Sequence, residues 1–237
     1  MKLCASISVA LAIASAVPAL AQQDGSRFYP PAGCTEVLTI QSRGCEVTHL
    51  YTCEADAQGE QWGITFDVDG PSNLGKIDYE TQWVESYEMF PMRRFVLVEP
   101  PADPANMTEL LETGVDSLDF QQQGPDGLNR YVGFDRILPG EVVIDGETLL
   151  KTQFSMRSEL ADGTVFELEG NEYIIPRLRR FISGNYTRTD TDEPISWDNS
   201  PIDFVYPGEP GFFTKTPLYE CEPTLAHYAS PKKGTDQ

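Results

Sequence analysis

Histidine is nearly absent from this chain, which has only His49 and His227 among its 237 residues. A serine or cysteine nucleophile would have few bases to activate it, and a zinc site would have few nitrogen ligands. The chain also lacks a Gly-x-Ser-x-Gly motif, a phosphate-binding glycine loop and a dinucleotide fingerprint. We therefore predict no catalytic residues, no metal and no cofactor, and we favour a non-catalytic protein.

Positive charge is also scarce. The chain carries 17 Lys and Arg residues against 37 Asp and Glu residues, a formal net charge of −20. A surface of this charge repels the phosphate backbone, so we exclude nucleic acid as a partner. The excess of acidic residues is typical of a soluble protein with little tendency to associate non-specifically.

Long apolar runs are missing after the first part of the chain. At the start, Lys2 precedes an apolar run over residues 7–17, and the small-x-small sequence Ala19-Leu20-Ala21 follows it. This pattern predicts a signal peptide over residues 1–21 that is cleaved after Ala21. The run is shorter than the roughly 20 residues that a membrane-spanning helix needs. We therefore expect an acidic protein of the periplasm or the extracellular space that does not span the membrane.

One of the five cysteines lies in this predicted signal peptide. The other four are Cys34, Cys45, Cys53 and Cys221. An even number in an exported protein predicts two disulfide bonds. If Arg43-Gly44 is the turn of a hairpin, Cys34 lies opposite Cys53, and Cys45 is left to pair with Cys221. If the hairpin slips, the pairs become Cys34 with Cys45 and Cys53 with Cys221.

Short stretches of alternating apolar residues, separated by turns, run along most of the chain. Asp145-Gly146 is a typical two-residue hairpin turn, and residues 161–163 form a loop that places Met156 opposite Leu168. We predict an all-β protein with about ten short strands in a curved antiparallel sheet, either a barrel or a sandwich. Residues 22–237 would form one disulfide-linked domain with a loose tail from about residue 222.

One short helix interrupts the predicted strands. Asp103 can cap its first turn, and Pro104 fits the first helical position. Leu110 and Leu111 supply an apolar side, and Gly114 lies where a helix commonly ends.

Arg177, Arg179 and Arg180 form the main concentration of positive charge in this acidic chain. If they line a cavity, they can bind the anionic head of a ligand. The alternative is that they pair with neighbouring acidic residues on the sheet surface.

Three features together resemble a group of exported bacterial proteins without a known activity. They are the cysteine spacing around the first hairpin, the hairpin over residues 141–150 and the segment 206–212 before Cys221. The resemblance implies a bacterial periplasmic protein with a fixed disulfide framework. It implies no activity and no catalytic residues.

The preferred hypothesis is a periplasmic binding protein that holds an apolar, lipid-like or amphipathic ligand in its curved sheet, with the three arginines as the polar contact. A second hypothesis is a cell-envelope protein-protein interaction module without a small-molecule ligand. A third is a hydrolase that uses paired carboxylates, which would have to converge in a cleft.

Overall fold

The computed structural model describes residues 26–221. The predicted signal peptide and the predicted loose tail lie outside these residues. The described chain is built almost entirely from antiparallel strands, which confirms the predicted all-β class. No helix within residues 26–221 is long and apolar enough to cross a membrane.

The sheet contains thirteen strands, not about ten. The strands are β1 Cys34–Ser42, β2 Glu46–Cys53, β3 Gln61–Asp67, β4 Gly70–Ile77, β5 Trp83–Met89, β6 Met92–Leu97, β7 Val115–Gly124, β8 Gly127–Ile144, β9 Glu147–Glu159, β10 Val165–Ile175, β11 Arg180–Arg188, β12 Ile195–Asp198 and β13 Pro201–Val205. The predicted number of strands was too low because β7 is mostly polar, β12 is only four residues long and β13 begins with a proline. Their backbones are held by pairing with neighbours, which outweighs intrinsic strand preference.

Each strand from β1 to β11 pairs with the next one along the chain, whereas β13 returns to pair with β1. The two edge strands of the curved sheet are therefore β12 and β13, which are consecutive in the chain. Asn199 and Ser200 connect them. The Asn199 N–H donates to the carbonyl of Gly184 at 2.9 Å, and the Arg43 N–H donates to the carbonyl of Ser200 at 3.0 Å. This link brings the edges together, although β12 and β13 do not pair and the sheet stays unclosed.

The first hairpin differs in detail from the prediction. Ser42 lies opposite Glu46, so the turn has three residues, not two. A bulge between Glu36 and Leu38 shifts the register by one residue and brings Cys34 opposite Cys53. The structure contains two disulfides, Cys34–Cys53 and Cys45–Cys221, which are the pairs favoured from the hairpin geometry.

The short helix, α1, spans Met107–Thr113. Its N-cap is Asn106, whose side-chain oxygen accepts from the Glu109 N–H at 2.9 Å. Gly114 ends the helix with φ 84°, a left-handed conformation that glycine adopts without strain, as the sequence predicts.

The predicted cap at Asp103 is wrong. Asp103 exchanges two backbone hydrogen bonds with Asp119 of β7, at 2.9 and 2.8 Å. This bridge keeps Asp103 extended, so the helix begins only after Asn106. Met107 and Leu110 of the helix then pack against Ile174 of β10.

The two later hairpins follow their turn chemistry. Glu147 lies opposite Ile144 across Asp145-Gly146. Across the next loop, Met156 lies opposite Leu168, and Gly163 has φ 86°. Both register predictions are confirmed.

Strands β1 to β3 are covered on both faces. On one face, an aromatic cluster packs together, which we define as Phe28, His49, Phe66 and Phe213. On the other face, Leu38, Ile40 and Leu50 pack against residues from β9 to β11 and β13. This second face also borders the cavities described next, and we call it the cavity face.

Candidate functional site

Two adjoining cavities, of about 280 Å³ and 520 Å³, lie beside the cavity face. They share six lining residues: Asn73, Thr81, Trp83, Glu172, Phe181 and Ser183. Small-molecule sites in proteins commonly have volumes of roughly 300–1,000 Å³. The two cavities are therefore of the size at which proteins bind small ligands.

The smaller cavity has a polar wall. Because side chains alternate along a strand, Thr48 of β2 faces this cavity whereas its neighbour His49 faces the aromatic cluster. Thr48 and Thr65 lie opposite each other and their hydroxyl oxygens are 2.9 Å apart. Gly63 and Gly75, also paired across β3 and β4, contribute no side chains to this wall.

The larger cavity has a mainly apolar wall. Its apolar lining comes mostly from strands β7 to β11 and includes Leu118, Phe120, Phe134, Phe154, Met156 and Leu168. Trp83 of β5 lines it as well, with its ring 5.6 Å from that of Phe120 and 5.4 Å from that of Tyr131. A polar chamber and an apolar chamber thus meet along shared residues.

Three ionisable side chains come together where the two chambers meet: Asp135, Glu172 and Arg180. Asp135 lies in β8, opposite Asp116 of β7. Glu172 follows a bulge in β10, and Arg180 begins β11 directly after a 3₁₀ turn over Pro176–Leu178. Strands β8, β10 and β11 therefore each supply one ionisable side chain to this junction.

Burial dominates the protonation of these carboxyl groups. Burial, with a smaller contribution from the nearby charge of Asp135, raises the pKa of Glu172 to about 8, although the charge of Arg180 acts to lower it. Burial raises the pKa of Asp135 to about 7, with a contribution from Asp116. Both side chains are half-buried, and each lines a cavity. Glu172 therefore holds its proton at neutral pH.

Arg180 is the cation of this group. Burial lowers the pKa of its guanidinium to about 10, so it remains charged at neutral pH. Its Nη1 is buried without a hydrogen-bond partner, as is Oδ1 of Asp135. Among residues 26–221, no acidic side chain forms an ion pair with Arg180. Since buried polar groups in proteins are nearly always hydrogen-bonded, the group has unused capacity to bind a polar atom.

Gly63 makes room for this guanidinium. A methyl group at Gly63 would overlap Nη2 of Arg180, whereas one at Gly75 would meet only ordinary contacts at 3.8 and 3.9 Å. The absence of a side chain at Gly63 therefore determines where the charge of Arg180 lies.

The three arginines predicted as ligand contacts are separated in the structure. Arg177 donates to both carboxylate oxygens of Glu147, at 3.0 and 2.7 Å. Arg179 donates to Glu80 at 2.6 Å and to the carbonyl of Tyr79 at 3.0 Å. Arg177 and Arg179 thus have acidic partners, and of the three only Arg180 lines a cavity.

Asp135 and Glu172 were not recognised from the sequence. The available signal was that Glu172 precedes the apolar run Tyr173-Ile174-Ile175 in a strand, where a charged residue is out of place. Nothing in the sequence indicated that Asp135 lies near it, because the two belong to different strands.

His49 lies away from this site, within the aromatic cluster. Its Nδ1 is 3.0 Å from the hydroxyl of Thr39, and burial lowers its pKa to about 3. In the described part of the chain, no group of three or more His, Cys, Asp or Glu residues could hold a metal ion.

Comparison of the chain with protein-family models, curated proteins and solved structures finds no match.

Proposed function

We propose that this protein is a non-catalytic binding protein of the periplasm or extracellular space that holds an amphipathic small molecule in its two adjoining cavities. The main support is the junction of the apolar chamber with buried polar groups that lack partners, Nη1 of Arg180 and Oδ1 of Asp135. An apolar body would fill the larger cavity, and a polar end would satisfy the groups at the junction. The two disulfides are compatible with an oxidising compartment.

Native mass spectrometry tests this function directly. The protein is purified from its native compartment and measured before and after mild extraction with organic solvent. We expect an additional mass of a few hundred daltons that extraction removes. A bare protein mass, together with no binding of any of the amphipathic probes described below, would overturn the proposal.

A second candidate function is a cell-envelope interaction module, which is favoured by exposed apolar side chains at one end of the sheet. Val68 is 68% exposed, Phe90 76% and Met92 69%. These residues lie at the turns after β3 and β5, and alternate turns of an antiparallel meander share one end. Exposed apolar side chains indicate a partner contact where they form a contiguous patch.

Substitution at the tips distinguishes the two functions. If the protein acts through a partner, Phe90→Ser should abolish co-purification of a defined protein from the native compartment. Val143→Ser is the control, because Val143 is 65% exposed but lies beside the β8–β9 turn, at the opposite end. Equal recovery of the partner with both variants would exclude the apolar tips as its docking site.

A further inference from the structure

We propose that the polar end of the ligand is a carboxylate, bound by the guanidinium of Arg180, with the apolar body of the ligand in the larger cavity. This inference rests on the proposed binding function and names the chemical class of the ligand.

Arg180 places a positive charge at the cavity junction of a strongly acidic protein, and Glu46 and Glu172 also line the smaller cavity. The chain has a net charge of −20, yet Arg180 lies at the cavity junction without an acidic ion-pair partner. Lys76 also lines the smaller cavity, but its ammonium lies 2.9 Å from Glu60 and 3.5 Å from Asp56. Arg180 is therefore the cavity cation whose charge is left for a ligand.

The geometry of the group favours a carboxylate over other heads. A guanidinium presents parallel N–H groups that match the two oxygens of a carboxylate. Glu172, which holds a proton at neutral pH, can donate a further hydrogen bond to the same anion. A dianionic phosphate would place a second negative charge beside the carboxyl group of Asp135, whose pKa is about 7, and a cationic head would be repelled by Arg180.

Four amphiphiles with the same twelve-carbon chain and different heads test the assignment: dodecanoate, dodecanol, dodecyl phosphate and dodecyltrimethylammonium. Trp83 lines both cavities and reports binding by fluorescence. The other two tryptophans, Trp62 and Trp197, are replaced by phenylalanine so that Trp83 is observed alone. We expect dodecanoate to bind most tightly.

Substitution of the guanidinium provides the second arm. Loss of a charge-assisted hydrogen-bond pair should reduce the affinity of Arg180→Gln for dodecanoate by about tenfold or more, with little change for dodecanol. Arg177→Gln is the control, because it removes the same charge from a side chain that is paired with Glu147.

A third experiment retains Arg180 but displaces its guanidinium. Gly63→Ala should displace the guanidinium of Arg180 and weaken dodecanoate binding, whereas Gly75→Ala on the neighbouring strand should leave it unchanged. This experiment also decides the question if Arg180→Gln does not fold, since Arg180 is retained.

The outcomes separate the two proposals. If none of the four amphiphiles binds, the binding function itself fails. If dodecanol or dodecyl phosphate binds as tightly as dodecanoate, or if Arg180→Gln and Gly63→Ala bind dodecanoate like the unmodified protein, the carboxylate assignment is overturned while the binding function stands.

Discussion

The two faces of β2 and β3 bury ionisable groups in opposite ways. On the aromatic face, His49 is fully buried and neutral, its Nδ1 lies 3.0 Å from Thr39 Oγ1, its ring stacks 4.6 Å from that of Phe213, and its Nε2 has no hydrogen-bond partner. On the cavity face, Arg180 keeps its charge, lacks a partner at Nη1 and borders open volume. The strands are the same, but the aromatic face is packed throughout, whereas the cavity face is packed at Leu38, Ile40 and Leu50 and borders open volume beside them.

This difference indicates what each face contributes. A buried histidine that stays neutral near neutral pH carries no charge to desolvate and is compatible with tight packing, even with one ring nitrogen unpaired. A buried charge without a partner opposes folding. Residues that lower stability without a structural gain are common at functional sites, where binding of a ligand supplies the missing contacts.

The largest effect on stability should come from truncating a buried side chain of the aromatic face. Phe213 is fully buried, and its N–H donates to the Thr39 hydroxyl at 2.8 Å. We expect Phe213→Ala to lower the free energy of unfolding by about 3–5 kcal/mol in urea denaturation. Phe154→Ala, on the cavity wall, is the control and should have a smaller effect because Phe154 already borders open space. Equal losses would contradict the contrast between the faces.

The next effect is the acid response of the aromatic face. The pKa of His49 is about 3 in the folded protein and 6.5 ordinarily, so the folded state binds fewer protons in this range. Its stabilising contribution is thus present above pH 6.5 and is lost as pH falls. Relative to His49→Gln, the free energy of unfolding of the unmodified protein, measured by urea denaturation, should fall by on the order of 3 kcal/mol between pH 6.5 and 4. Parallel stability curves for the two proteins would refute this role.

The cavity face should respond to pH in the opposite direction. The pKa of Glu172 is raised from 4.5 to about 8, so the folded state binds more protons and its stability falls as pH rises through this window. Relative to Glu172→Gln, the free energy of unfolding of the unmodified protein should fall by on the order of 2 kcal/mol between pH 5 and 8. The fall is smaller than for a completely buried carboxyl group, because the adjoining cavity lessens the burial. Urea denaturation at several pH values measures both curves. A loss of stability toward acid pH instead would show that Glu172 is ionised and paired.

The smallest effect is a gain in stability. Arg180→Met removes a buried charge that lacks a partner and should raise the free energy of unfolding by about 1 kcal/mol. Arg177→Met, which breaks an ion pair with Glu147, should instead leave stability unchanged or lower it by up to about 1 kcal/mol. A large loss in Arg180→Met would show that Arg180 serves the fold, not a ligand.

Local features of the fold were predictable from the sequence. Asp145-Gly146 and the loop ending at Gly163 set the registers of their hairpins, because turn geometry links residues that are close in the chain. Errors arose where longer-range contacts intervened. The bridge from Asp103 to Asp119 delayed the helix, and pairing with neighbouring strands ordered β12 and β13 despite their weak pattern.

The candidate site was predictable only in part. A cluster of arginines was visible, but not that Arg177 and Arg179 would find acidic partners in Glu147 and Glu80. Whether an arginine is paired depends on residues that are 30 and 99 positions away. Such contacts follow from how the sheet curves, which a local pattern does not encode.

By itself, the sequence determined the all-β class and a cysteine spacing that favours the observed disulfide pairs, since both depend on alternation, turns and short-range register. Only the tertiary structure decided that Asp135, Glu172 and Arg180 meet beside an apolar chamber. These residues come from β8, β10 and β11; burial raises the pKa of Asp135 and Glu172, and it leaves Oδ1 of Asp135 and Nη1 of Arg180 without hydrogen-bond partners. Burial is a property of the folded sheet as a whole, because it arises when distant strands exclude water from the same space.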